Sequence, residues 1–173
     1  MSSQSSPKDL AAIPSGRRVF IDANIFVYHF TSTPLTAACT AFLKRVEVGD
    51  LGGITSVIAL AEVAHRLMIL EAIRTHGLKP NIAVRKLKET PSLVQQLSDY
   101  RVATGMVSTF NVAVEPVTAN HLRSAQEFSA SEGLLTNDSL TAAVMQSLSL
   151  RDIASNDPDF SVVPGFTVWQ PKR

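Results

Sequence analysis

The chain is 173 residues long, enough to bury a core without disulfides or a structural metal. Hydrophobic residues make up 45%, which excludes a disordered chain, and Cys39 is the only cysteine, which excludes an intramolecular disulfide and a multi-cysteine zinc site. The net charge of +1 excludes little, but its distribution is uneven: Arg66, Arg74, Lys79, Arg85, Lys86 and Lys88 face only Glu71 between His65 and Lys88, and from Gly105 onward acids predominate.

Residues 1–17 are rich in Ser, carry Pro7 and Pro14, and read as a flexible N-terminal tail that adds nothing to the core; residues 18–173 read as one domain. The N-terminus lacks the apolar run of a secretory signal peptide. The most apolar stretch, Ile54 to Leu70, holds Glu62, His65 and Arg66 in its middle and is not expected to span a membrane. A cytoplasmic protein is the simplest expectation, and a lone cysteine fits a reducing compartment.

Arg18-Val-Phe-Ile-Asp22 is a short apolar run ending in a carboxylate, the pattern of a buried strand. A helix is predicted over 34–48, with Leu35, Ala38, Phe42 and Val46 on one side. Gly49 to Gly53 make a turn, Ile54-Thr55 ends a second strand, and Ser56 caps a helix carrying Val57, Leu60, Ala61, Ala64, Leu67 and Met68 at helical spacing. Pro80 interrupts the pattern, Asn81 to Leu87 resumes it, and Pro91 opens a helix reaching about Met106. Asn111 to Val117 has strand character, Thr118 caps a helix to about Ser131, and Gly133 ends it. Asn137-Asp138 opens a helix over Ser139 to Ser149. Asp152 to Ser155 is a fourth strand, followed by a turn at 156–159, and Phe166 to Val168 is a fifth. Alternating strands and helices predict an α/β fold with a parallel sheet covered on both faces, whose ligands sit outside the carboxyl ends of the strands.

Four carboxylates fall at such ends. Asp22 closes the first strand, Glu62 lies in the second turn of the helix after the second strand, Asp138 begins a helix, and Asp157 follows the fourth strand. Each has an ordinary structural reading: Asp22 as a turn residue, Glu62 as the i,i+4 partner of Arg66, Asp138 as a helix N-cap, Asp157 as a turn residue before Pro158. Together, the topology can bring them to one sheet edge. Four clustered carboxylates repel unless a cation joins them, and oxygen donors select Mg²⁺, Mn²⁺ or Ca²⁺ over zinc. His29, His65, His76 and His121 are scattered and make no metal set; Tyr28 reads as a packing residue or a base-stacking one.

The flanking residues add a specific resemblance. Val19-Phe-Ile-Asp22-Ala-Asn24-Ile-Phe resembles the opening motif of PIN domains. Ser56 with Ala61-Glu62-Val63 resembles the second motif, Thr136-Asn137-Asp138-Ser-Leu-Thr-Ala-Ala the third, and Ile153-Ala-Ser155-Asn-Asp157-Pro-Asp159-Phe160 the fourth. Order and spacing match over about residues 18 to 169, and the chain particularly resembles the small single-domain PIN ribonucleases typified by VapC toxins. The resemblance implies a three-layer α/β/α fold with a short central sheet and an acidic Mg²⁺ or Mn²⁺ site that hydrolyses RNA. It implies Asp22 and Asp138 as principal metal ligands, Asp157 as a ligand directly or through water, and Glu62 as holder of an outer water or of the nucleophile. Asn24 and Ser155 are implied as hydrogen-bonding supports, and Asp159 as either a turn cap or a water-mediated metal contact. A cognate antitoxin protein is the implied partner, to be sought on the helical region from Val57 to Met106, together with homodimerisation. Two other classes fit less well. A non-catalytic PIN-like module binding RNA or protein would be expected to have lost some of the acids. A Mg²⁺-dependent phosphatase would need an Asp at position 24 and a nearby Lys, where this chain has Asn24 and no Lys in any motif.

Overall fold

The computed structural model describes residues 6–173, and its organising element is the strand Arg18–Ile21. Val19, Phe20 and Ile21 are fully buried. Alternation along the strand sends Val19 and Ile21 to one face and Phe20 to the other, and each face has its own hydrophobic cluster. A strand buried on both faces requires helices on both.

Six strands form one sheet, every pairing parallel: β1 Lys8–Asp9, β2 Arg18–Ile21, β3 Gly52–Ser56, β4 Ala113–Glu115, β5 Asp152–Ala154 and β6 Thr167–Gln170, in the spatial order β1-β6-β5-β2-β3-β4. The helices are α1 Ala23–Phe30, α2 Thr36–Glu47, α3 Val57–His76, α4 Ala83–Glu89, α5 Pro91–Gln95, α6 Asp99–Met106, α7 Ala119–Glu132 and α8 Thr136–Ser147. On one face Ile25, Phe26, Leu43 and Val63 from α1, α2 and α3 pack with Val19 and Ile21. On the other, Val144 and Met145 of α8 pack with Phe20, Ile153 and Phe160. The fold is the expected three-layer α/β/α arrangement. Gly53 lets α2 lie against β3, since a Cβ there would collide with Val46 Cγ1. From β2 the chain moves to β3 on one side and later returns to β5 on the other. The crevice beyond the carboxyl ends of β2 and β5 is therefore a topological switch point, where such sheets bind ligands. Among the described residues no helix is long and apolar enough to cross a membrane.

Several expectations are corrected. Residues 1–5 of the predicted tail lie outside the described residues, but its later part is not a tail. Lys8 and Asp9 pair with Trp169 and Gln170 as the edge of the sheet. Leu10 and Ile13 are 1% and 2% exposed within the main cluster, and Arg45 binds the Ile13 carbonyl at 2.8 Å. The run Leu10-Ala11-Ala12-Ile13 is too short a signal to read, yet its two large residues cover the end of the core. Helix α1 was not expected: its run of branched and aromatic residues favours a strand on propensity alone, and Asp22 overrides that by capping it. The helix predicted from Pro91 to Met106 divides into α5 and α6. The Glu71 carboxylate, from α3, accepts hydrogen bonds from the backbone N–H groups of Ser98 (2.8 Å), Asp99 (3.0 Å) and Tyr100 (2.9 Å) and so starts α6 anew. Burial alone would raise the Glu71 pKa, but these three donors outweigh it and hold the carboxyl below its ordinary value.

The placement of Leu10 is tested by Leu10→Ala. A core leucine so truncated costs about 2–5 kcal/mol, and a tail residue costs nothing measurable. Chemical denaturation of the two proteins is expected to show the first outcome; coincident unfolding curves would return residues 8–13 to the status of a tail.

Candidate metal centre at the carboxyl edge of the sheet

Ile21 of β2 stands in register with Ala154 of β5, so the residues that follow, Asp22 and Ser155, meet. Asp22 is the N-cap of α1, its Oδ1 accepting from the Ala23 N–H at 2.7 Å. Its Oδ2 accepts from Ser155 Oγ at 2.6 Å and from Asn24 Nδ2 at 2.5 Å. Ser155 Oγ in turn accepts from the Asp157 N–H at 2.9 Å, and Asn24 Oδ1 accepts from the Asn156 N–H at 3.1 Å. Asn24 and Ser155 are both buried, and both donate to the Asp22 carboxylate.

Glu62 is carried to the edge by α3, whose N-cap Ser56 accepts from the Ala59 N–H at 3.2 Å. It forms the i,i+4 ion pair with Arg66 at 3.5 Å, both side chains partly exposed. Such a pair is worth about 0.3–0.5 kcal/mol and is readily exchanged. Asp138 is the third residue of α8, whose N-cap is Leu135. Its reading as the cap is therefore corrected. Among the described residues its carboxylate takes no hydrogen bond and no ion pair. Asp157 caps the 3₁₀ turn Pro158–Val162, accepting from the Asp159 N–H at 2.9 Å.

Asp138, Asp157 and Asp159 each place a carboxylate oxygen within 4.8 Å of the other two. Asp159, the uncertain member of the sequence set, joins this group because the short 3₁₀ turn aims it the same way as Asp157. Asp22 and Glu62 stand outside that tight trio but within its field. The Asp22 carboxyl is pushed up to about 6, chiefly by burial; the hydrogen bonds from Ser155 and Ala23 oppose this, and the charges of Glu62 and Asp138 add to it. The Asp138 carboxyl is also pushed up to about 6, by burial and then by the charges of Asp157, Asp159 and Glu62. An all-oxygen set that helps raise the Asp22 and Asp138 pKa, with one carboxylate bare of donors, fits Mg²⁺ or Mn²⁺ and has no nitrogen or sulfur ligand to favour zinc.

Part of the basic stretch is ion-paired on the helices. Arg66 pairs with Glu62, Arg74 with Asp99, and Arg85 and Lys86 with Glu89. One contributor to the site is not legible in the sequence. Tyr28 was read only as a packing or stacking group, yet its hydroxyl accepts from Asn156 Nδ2 at 3.2 Å. No local pattern signals a bond between residues so far apart.

The sequence pattern of the PIN domain family matches residues 19–165, most of the chain. The chain belongs to the PIN domain family. No curated protein matches the sequence significantly. Solved structures share the fold at low identity. VapC20 of Mycobacterium tuberculosis, described as a sarcin-ricin loop cleaving toxin, matches with a TM-score of 0.59 and 18% identity, over 85% of this chain and 95% of that one. A chain of Rickettsia felis VapBC2, bound to a promoter DNA fragment, matches with a TM-score of 0.57 and 14% identity, over 90% and 99%. A chain of a Klebsiella pneumoniae toxin–antitoxin complex matches with a TM-score of 0.54 and 15% identity, over 90% and 98%.

The raised Asp138 pKa fixes a sign. Its native value of about 6 exceeds the ordinary 3.8, so the metal-free native state binds this proton more tightly than the unfolded chain does. The group therefore costs stability increasingly as pH rises from about 4 to about 6 and no further above that. Asp138→Asn removes this cost, so the metal-free variant is expected to gain on wild type across that window in urea unfolding. A constant difference from pH 4 to pH 7 would show that Asp138 is not crowded.

Proposed function

We propose that this PIN domain protein is a Mg²⁺- or Mn²⁺-dependent endoribonuclease and the toxin of a toxin–antitoxin pair. The observation that carries the reading is the meeting of carboxylates from separate elements at the switch point of the sheet. Asp22 and Asp138 are the principal ligands, Asp157 binds directly or through water, and Asp159 completes the same group. Glu62 stays at the rim, where its carboxylate orients the attacking water and takes its proton, while Arg66 balances its charge. Asn24 and Ser155 donate to Asp22 Oδ2 and leave that carboxylate one fixed orientation. When bound, the metal supplies a water of lowered pKa and positive charge against the phosphodiester oxygens. Water adds to phosphorus, the P–O3′ bond breaks, and the departing 3′-oxygen takes up a proton.

The likeness in fold to VapC20 and to two toxin–antitoxin assemblies supports RNA as substrate and an antitoxin as partner. The antitoxin docks on the helical layer, where a cleft of about 390 Å³ opens between α3 and α6, lined by Phe30, Leu67, Leu70, Tyr100 and Ala103 with Arg74 and Asp99 at its edge. A cytoplasmic location and a homodimer belong to the same reading.

Asp138→Asn separates a ligand from a structural residue. The variant is expected to fold at least as stably as wild type and to cleave single-stranded RNA about a hundredfold more slowly or worse in Mn²⁺. Wild-type turnover would remove Asp138 from the centre. Cleavage is likewise expected to stop in EDTA and to return with Mg²⁺ or Mn²⁺ but not Zn²⁺. Undiminished cleavage in chelator would place the chemistry at the ribose 2′-hydroxyl, without metal.

A further inference from the structure

We propose that Tyr28 and Asn156 form a clasp that sets the position of Asp157 for the divalent cation, making both of them positioning residues of the centre. The inference rests on the reading of the acidic edge as a cation site.

Asn156 is the link between Ser155, which touches Asp22, and Asp157, which faces Asp138. Helix α1 holds it at two points. The Asn156 N–H donates to Asn24 Oδ1 at 3.1 Å, and its side-chain Nδ2 donates to the Tyr28 hydroxyl at 3.2 Å. Asn24 and Tyr28 are four residues apart, so they share one face of α1 and form a two-point rail for the loop leaving β5. Beyond Asn156, the Asp157 N–H is held by Ser155 Oγ at 2.9 Å, and Pro158 fixes the backbone that follows. The loop is thus fastened on both sides of Asp157, whose own carboxylate caps the turn that follows.

The fastening opposes a definite force. Asp138, Asp157 and Asp159 crowd one another, and Asp157 sits on a loop, while Asp138 sits on a helix. Repulsion therefore moves Asp157 first. The Tyr28 ring packs against the main core, and its hydroxyl reaches past that core to the loop. A tyrosine serving only as packing would have no use for that hydroxyl, and a base-stacking tyrosine would not spend it on a loop amide.

The test is Mn²⁺ binding by titration calorimetry on the full chain, without RNA, for wild type, Tyr28→Phe, Asn156→Ala and the double variant. Tyr28→Phe keeps the ring and deletes one oxygen. Each single change is expected to weaken Mn²⁺ about tenfold, the lower end of what outer partners of metal ligands contribute. The double variant is expected to be no weaker than the worse single one, because both lose the same bond. Melting temperatures without metal are expected to stay near wild type. Unchanged Mn²⁺ affinity in Tyr28→Phe, or losses that multiply in the double variant, would overturn the clasp. If Asn156→Ala fails to fold, Tyr28→Phe decides alone. Wild type that binds no Mn²⁺ would defeat the cation reading itself and the clasp with it.

Discussion

Repulsion among carboxylates is the constraint that the rest of this structure answers. Asp22, Glu62, Asp138, Asp157 and Asp159 come to one edge, and among the described residues only Glu62 has an ion-pair partner, Arg66. A soft scaffold would relieve that strain by moving apart. This one is stiff where it matters: β2 and β5 are buried on both faces and locked in parallel register, Ile21 opposite Ala154. The cost of the cluster is spread over a sheet in which Val19, Phe20, Ile21 and Ile153 are fully buried.

The two halves of the centre meet the strain differently. Asp22 is wired, taking hydrogen bonds from Ala23, Asn24 and Ser155. Each is worth about 0.5–1.5 kcal/mol net, more to a charged acceptor. Asp138 has none. It lies in the first turn of α8, whose N-terminal field favours a carboxylate by about 0.3–1 kcal/mol at most sites. Burial and three nearby acids outweigh it, because the Asp138 pKa still rises. One carboxylate is held in place by the protein; the other is left with its oxygens free. That division suits a centre in which the fixed group sets the geometry and the free one takes the ligand.

What could be read from the sequence was local. An apolar run closed by Asp22, the Ser56 cap, and the order of motifs each lie within a few residues, and they gave the parallel sheet and the acids at its edge. The rest is joined across distance. Ser155 and Asp22 are 133 residues apart, and Glu71 meets Ser98 across 27. No periodicity reports a cap delivered from another helix, so α5 and α6 looked continuous. In α1, propensity pointed to a strand and one capping carboxylate reversed it, although that same Asp22 was already legible as a site residue. Leu10 and Ile13 show the opposite limit: their burial depends on Trp169 and β6, which nothing in residues 1–17 announces.

The pairing of the basic stretch bears on how a polyanion would meet this surface. Arg66, Arg74, Arg85 and Lys86 have acidic partners, the last two sharing Glu89, so part of the positive charge that the sequence concentrates between His65 and Lys88 is balanced by exposed pairs that exchange readily. The acidic edge meanwhile presents carboxylate, and at separations below a Debye length of about 8 Å that charge is only partly screened from an approaching phosphate. On the proposed reading, the cation then has two tasks. It relieves the acids, and it reverses the sign of the edge so that a phosphodiester can approach at all. Substrate affinity and metal affinity are coupled through that one change of sign, and coupling of this kind is reciprocal: RNA that binds only the cation-loaded edge must tighten the cation by the same factor. The Glu62–Arg66 pair, at 3.5 Å and partly exposed, is the one ion pair at this edge among the described residues, and a pair of that kind exchanges readily.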